Sequence, residues 1–295
     1  MKRTTLAWLL AIASCGLPAL AATKAETAAA AAAARADALK QAEASMVVTG
    51  RISIDPSGRV TGYLIDRRSK VPTGVVAMIE RYVPHWAFEP VQKDGSPVLA
   101  TATMWLRIVA RKTDDTHYQI GIRNAAFGDP AAEIERGSYL TKARMDPPSY
   151  PGIAYGAGAS GTVYLRLKID RSGHVADEIA EQVNLRTTGT PEQMQQWRDA
   201  LAKSTLQAAA KWTFHPPTTG KEASRDYWDA VVPVIYRMDE GLAKYGEWEA
   251  YLPGAKQVVP WADPDDTGRS SDAFSDGSLH LAGSGLRLLT PLIGG

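Results

Sequence analysis

The sequence predicts an α+β fold made of two tandem units. Each unit is a β-hairpin, a helix and a third strand, with the helix packed on one face of a small antiparallel sheet. Three observations carry this. The first is an alternating stretch in which Thr162, Tyr164, Arg166 and Lys168 face one way while Val163, Leu165, Leu167 and Ile169 face the other, the period-2 pattern of a half-buried strand. The second is the turn after it, Asp170-Arg171-Ser172-Gly173, with Asp at the first position and Gly free to take the left-handed conformation that closes a hairpin. The third is recurrence: Ile54-Asp55-Pro56-Ser57-Gly58-Arg59-Val60 matches Ile169-Asp170-Arg171-Ser172-Gly173-His174-Val175, and Trp86-Ala87-Phe88-Glu89-Pro90 matches Trp212-Thr213-Phe214-His215-Pro216. Two separate matches in the same order mark an internal duplication. Gly58 to Trp86 spans 28 positions and Gly173 to Trp212 spans 39, so the second copy carries 11 extra residues between the motifs.

Taken in order, the chain opens with Met1-Lys2-Arg3, an apolar run over residues 6–13, and Ala19-Leu20-Ala21 after Pro18. This is the pattern of a secretory signal over residues 1–21, too short to span a membrane. The rival reading is a lipoprotein signal, Ile12-Ala13-Ser14-Cys15, with Cys15 lipidated and retained. Cys15 is the only cysteine, so cleavage after Ala21 would leave neither a disulfide scaffold nor a thiol enzyme. Residues 22–45 are dominated by alanine, the best helix former, and predict a solvated helical spacer.

The first unit is drawn at residues 46–111. Val48, Ile52 and Ile54 precede the turn, and Val60, Tyr63 and Ile65 follow it. Thr73 is the expected cap of a helix with Val75, Val76, Ile79 and Val83 on one face. Pro84 ends that helix. Trp86 and Phe88, two apart, point their rings to one face as core. Asp94-Gly95 makes a turn, and residues 98–111 complete the unit as a long strand. Residues 112–144 read as a connector, with Tyr118-Gln119-Ile120-Gly121-Ile122 able to add a strand and a short helix near 131–136.

The second unit is drawn at residues 145–238. Thr190-Pro191-Glu192-Gln193 combines a Thr cap, Pro in the first helical position and Gln at the capping-box position. Met194, Trp197, Leu201 and Ala208 recur along one face as core. In the last strand, residues 227–237, Pro233 cannot donate to a ladder, which places this strand at a sheet edge with that position facing out. Residues 239–295 form a C-terminal tail. It has aromatic, turn-rich pieces around Trp248 and Trp261, a polar, mobile stretch over 263–278, and an apolar run over 286–293 that either folds back on a sheet or serves as an interaction tail.

The strand, the Asp-x-Ser-Gly turn, the helix, the Trp-x-Phe-x-Pro exit and the final strand resemble the C-terminal domain family of TonB energy transducers. Pro147-Pro148-Ser149-Tyr150-Pro151 ahead of the second unit is similar to the lead-in of that family, and the first unit lacks it. The resemblance covers residues 46–111 and 145–238. It implies a small periplasmic α+β domain that offers a sheet edge to an extended peptide of an outer-membrane receptor or other envelope protein, without enzymatic activity. The residues it puts forward are Val231, Val232, Val234 and Ile235 in the second unit and Met104, Leu106 and Ile108 in the first. An energy transducer has a membrane anchor and a Pro-rich spacer before one terminal domain. This chain has a cleavable-looking signal, an Ala-rich segment, two units and a tail, so the transducer role itself would need an uncleaved signal.

Composition narrows the alternatives. Hydrophobic residues make up 45% and charged residues 22%, ordinary for a soluble protein. With 33 basic and 32 acidic residues, no electrostatic surface for nucleic acid is indicated. None of the five histidines falls in a metal-ligand spacing, there is no P-loop or dinucleotide fingerprint, and Ser172 lacks the hydrolase elbow. No cofactor, metal or catalytic residue is expected. The competing class is a structural envelope scaffold whose sheet edges are used internally or in a dimer.

Overall fold

The computed structural model describes residues 19–114, 117–128, 137–238, 244–262 and 270–292. The signal-type leader through residue 18, with Cys15, and the short helix expected at 131–136 lie outside the described residues. The first described element is α1 (Ala19–Gln41), the helix that its alanine content favours. Ala38 is buried in the second unit's core, and Arg35 Nη2 donates to Gln193 Oε1 at 3.4 Å. The segment therefore contacts the second unit instead of standing as a free spacer.

β1 (Glu43–Ile54) and β2 (Val60–Ile65) form the first hairpin. α2 (Thr73–Tyr82) buries Val75, Val76 and Ile79, with Val83 just past its end, on the apolar stripe visible in the sequence. The expected Thr73 cap is displaced: Pro72 holds the cap position, no side chain caps the helix, and Thr73 is its first residue. After Trp86 and Phe88, β3 (Gln92–Lys93) and β4 (Ser96–Pro97) make a small hairpin around Asp94-Gly95. β5 (Ala100–Lys112) then runs antiparallel to β1 from Ala44↔Ala110 to Ile54↔Ala100. β6 (Tyr118–Gly128) pairs with the other side of β5, from Lys112↔Tyr118 to Thr103↔Gly128. The front of the expected connector is thus a strand of the first sheet.

In the second unit, β7 (Thr141–Arg144) leads through α3 (Gly152–Gly156) to β8 (Gly161–Asp170) and β9 (Val175–Leu185). α4 (Pro191–Ala209) follows. Its capping box is formed: Gln193 N donates to Thr190 Oγ1 at 3.3 Å and Thr190 N to Gln193 Oε1 at 3.0 Å. α4 buries Met194, Trp197, Leu201 and Thr205, whereas Ala208 is half-buried. β10 (Thr213–His215) pairs with β7, and β11 (Tyr227–Tyr236) with β8. The tail supplies β12 (Glu249–Tyr251), which pairs with β1, and β13 (His280–Leu281), which pairs with β11. The two main sheets therefore run β12-β1-β5-β6, with β2 also on β1, and β13-β11-β8-β9.

The two duplicated motifs meet in space, in the same way in both units. Phe88 N donates to Gly58 O at 2.8 Å, and Phe214 N to Gly173 O at 2.8 Å. Gly58 and Gly173 have φ of 82° and 84°, the left-handed region that a Cβ disfavours. Each turn is tied by its aspartate: Asp170 Oδ1 accepts from Ser172 N, Ser172 Oγ and His174 N, as Asp55 Oδ1 does from Ser57 N, Ser57 Oγ and Arg59 N. The bonds from Ser57 and Ser172 hold both carboxyls below their ordinary range.

Each sheet has its helix on one face. The other faces look toward each other with the tail between them. The β8 face bearing Thr162, Tyr164 and Arg166, expected to be exposed, is buried. Its polar groups are matched across the layers. Arg107 on β5 donates to Tyr164 Oη at 2.8 Å, Ser45 Oγ at 3.1 Å and the Asp272 carbonyl at 2.8 Å. The Asp272 carboxylate, 1% exposed, accepts from Tyr251, Asn124 and Asn184. Arg166 pairs with Asp229, and Glu181 with Lys256 and the Ser271 hydroxyl. The mobile segment expected over 263–278 thus fails at 271–274, where Ser271, Asp272, Ala273 and Phe274 are buried between the sheets, whereas 275–278 are exposed; residues 263–269 lie outside the described residues. Leu286 and Leu288 enter the first unit's core, and Leu288 bridges to Phe88.

Candidate functional site

The first unit does not present the edge expected of it. Met104, Leu106 and Ile108 are fully buried in the first unit's core, and the backbone of their strand β5 is paired on both sides, with β1 and β6. The correction has a physical reason. A long strand with unpaired backbone invites pairing, and the segment just after it satisfies that need locally.

The second unit keeps part of its edge. Ala230 and Val231 pair with Leu281 and His280 of β13, and Ala282 N donates to Asp229 O at 2.8 Å. Since backbone groups alternate sides along a strand, Asp229, Val231, Pro233 and Ile235 all direct theirs away from β8. Pro233 brings no donor there. Beyond Val231, among the described residues, no strand pairs with the outward Pro233 carbonyl or the outward Ile235 amide and carbonyl. Val231 and Val232 are buried, whereas Val234 and Ile235 are half-buried. Of the four residues expected at this edge, the last two remain approachable.

This short edge borders a groove of about 420 Å³. One wall is the Pro-rich lead-in with Trp212: Pro147, Pro148 and Tyr150 flank it, and the rim opposite is Asp276-Gly277. The wall is held in place. Tyr150 Oη donates to the Ala159 carbonyl at 2.7 Å, its ring meets Tyr236 edge-on at 5.3 Å, and Trp212 Nε1 donates to the Asp146 carbonyl at 2.8 Å. Burial raises the Tyr236 hydroxyl pKa, so this phenol stays neutral. A groove lined by proline and tyrosine beside open strand backbone can hold an extended chain by main-chain bonds and apolar contact.

Sequence reasoning missed β13 and the tail rim. The signal was small but present: Leu279-His280-Leu281 alternates between Gly277 and Gly283, the outline of a short strand. The Asp170, Ser172 and His174 side chains also touch, with Ser172 Oγ 2.9 Å from His174 Nδ1. In a hydrolytic triad the imidazole stands between serine and carboxylate. Here the serine hydroxyl stands between the other two and donates to Asp170, and Arg59 replaces the histidine in the equivalent turn. The cluster is a turn lock. Among the described residues no group of His, Cys, Asp and Glu is placed to hold a metal ion, and no helix is long and apolar enough to cross a membrane.

No protein-family model matches the chain, and no characterised protein or solved structure is detectably similar to it.

Proposed function

We propose that this chain is a periplasmic, TonB C-terminal-like binding protein, not an enzyme, that captures an extended segment of an outer-membrane receptor or other envelope protein by β-augmentation. On this reading its role is linked to TonB-dependent transport through that capture. The observation that carries it is the stretch of β11 around Ile235, whose outward backbone lacks a strand partner among the described residues and borders the Pro147–Tyr150 groove. Short pairing of this kind gives modest affinity, as suits a reversible contact. The test is a photo-crosslinking residue at Val234 and at Ile235 in living cells. A discrete adduct with an envelope protein, reduced by a competing strand peptide, supports capture. Absence of any adduct from correctly exported, folded protein sinks it.

A second reading has its own observation. β6 covers β5 and β13 covers part of β11, so sheet edges are used within the molecule. That favours a scaffold with no peptide ligand. Rapid hydrogen exchange at the Ile235 amide, slowed by a partner extract or strand peptide, separates capture from scaffold; slow exchange in the isolated protein favours the scaffold.

A further inference from the structure

A cleft of about 720 Å³ opens between the two sheets, a volume within the range of small-molecule sites. Arg107, Arg186 and Arg237 stand on its walls. Arg67, Lys70 and Lys244 also line it and are exposed to solvent. Against these stand Glu247, Glu249 and Asp276, so among the described residues cations outnumber carboxylates six to three in the lining. The carboxylates are already engaged. Glu249 accepts from Arg186 Nε at 3.2 Å and Arg237 Nη1 at 2.7 Å, and Asp276 meets His280 Nε2 at 2.9 Å. Glu247 lies 3.9 Å from Lys244.

Among the cations, Arg107 is fully hydrogen-bonded, Arg237 is held by Glu249 and Lys244 faces Glu247, which leaves Arg186 and Lys70 less fully engaged. Arg186 Nη1 is buried with no acceptor among the described residues. Lys70 makes no ion pair among the described residues, and the Arg67 guanidinium sits 4.0 Å over the Tyr245 ring. Tyr245 is itself fixed, its hydroxyl donating to the Thr49 carbonyl at 3.2 Å and accepting from the Thr49 amide at 3.1 Å. Glu249 holds the Arg186 and Arg237 guanidiniums in place, and a planar fork held in this way is pre-organised for an incoming oxyanion. A buried N–H without an acceptor weakens the empty protein and is relieved by one.

We infer that this cleft binds a small molecule carrying two or more carboxylate or phosphate groups, with Arg186 and Lys70 among its anchors. The cleft adjoins the strand-capture groove and shares Ile235, Arg237 and Asp276 with it, but Arg186 and Lys70 line the cleft alone, so anion binding is tested independently of strand capture.

Calorimetric titration of the whole protein at low ionic strength, with citrate and with inorganic pyrophosphate as probes, tests this. Binding of either probe, weakened by added salt, is the expected result. Citrate alone points to a polycarboxylate, and pyrophosphate alone to a phosphate ester. Lys70→Gln and Lys244→Gln are each expected to weaken binding roughly two- to five-fold, and Arg186→Gln more. The lysines are exposed, so their variants keep the test open if Arg186→Gln fails to fold. No binding of either probe at about 10 mM, or binding that all three substitutions leave unchanged, overturns the inference.

Discussion

Gly173 is the residue on which the second unit closes. A Cβ built there would stand 2.1 Å from the Phe214 carbonyl oxygen, and the backbone is already in the left-handed region at φ 84°. Gly173→Ala is therefore expected to cost more than about 1 kcal/mol of stability, read as a shifted urea midpoint. Gly62→Ala is the control, because nothing lies within 4 Å of where an alanine methyl would stand and its φ is not positive; it should be close to neutral. Asp170 gives a pH test. Its folded pKa lies below the ordinary 3.8, held there first by the Ser172 hydroxyl. A lowered carboxyl contributes stability that is full above the unfolded value and is lost as pH falls through the folded value. Acid titration followed by amide NMR should show the Ser172 and His174 signals shifting below pH 3.8. Signals that move only at higher pH would refute the turn lock. The turn residues themselves were legible in the sequence, since Asp, Ser and Gly each act within a few positions of their partners.

At the scale of elements, hairpins and helices follow their local patterns. The α4 capping box, the α2 stripe and the Trp-x-Phe pair stand where the residues place them. Strand neighbours do not follow in this way, because a strand pattern specifies two faces and leaves both edges open. Hence Met104, Leu106 and Ile108, read as an edge, became the interior of a sheet. β13 is the element that decides how much of β11 is available. Ala282→Pro removes the N–H that bonds the Asp229 carbonyl, a loss of about 1 kcal/mol in local pairing. Hydrogen exchange at Val231 is expected to quicken, and sedimentation should show more self-association as the edge lengthens. Unchanged exchange at Val231 would mean that β13 does not guard this edge.

At the scale of the whole molecule, each sheet supplies a polar face that the other sheet and the tail cover. Arg107 is the clearest case. Burial works against its charged form, yet its surroundings, including the nearby Asp272 carboxylate, outweigh this and raise its pKa. Its partners come from β1, β8 and the 3-10 turn Ser271–Ala273, so one side chain ties both units to the tail. Arg107→Ala removes its hydrogen bonds to Tyr164, Ser45 and the Asp272 carbonyl, leaves those buried groups short of a donor and should cost about 1–3 kcal/mol. The same layering makes a prediction for fragments. Residues 145–238 alone would expose Tyr164, Arg166 and Glu181, so they should lack the single cooperative urea transition of the full chain. A monomeric fragment with its own sharp transition would show that the units are independent.

By itself the sequence determined the α+β class, the two Asp-x-Ser-Gly turns, the apolar stripe of α2 and the α4 capping box. All of these rest on contacts between residues close in the chain or on a repeated pattern. Only the tertiary structure decided that β6 and β13 take up sheet edges, that residues 271–274 fill the space between the sheets, and that Arg186 and Lys70 line one cleft. Those outcomes join residues far apart in the chain. Their partners are chosen by which polar and apolar surfaces remain uncovered once the local pieces have formed, and no short stretch of sequence contains that choice.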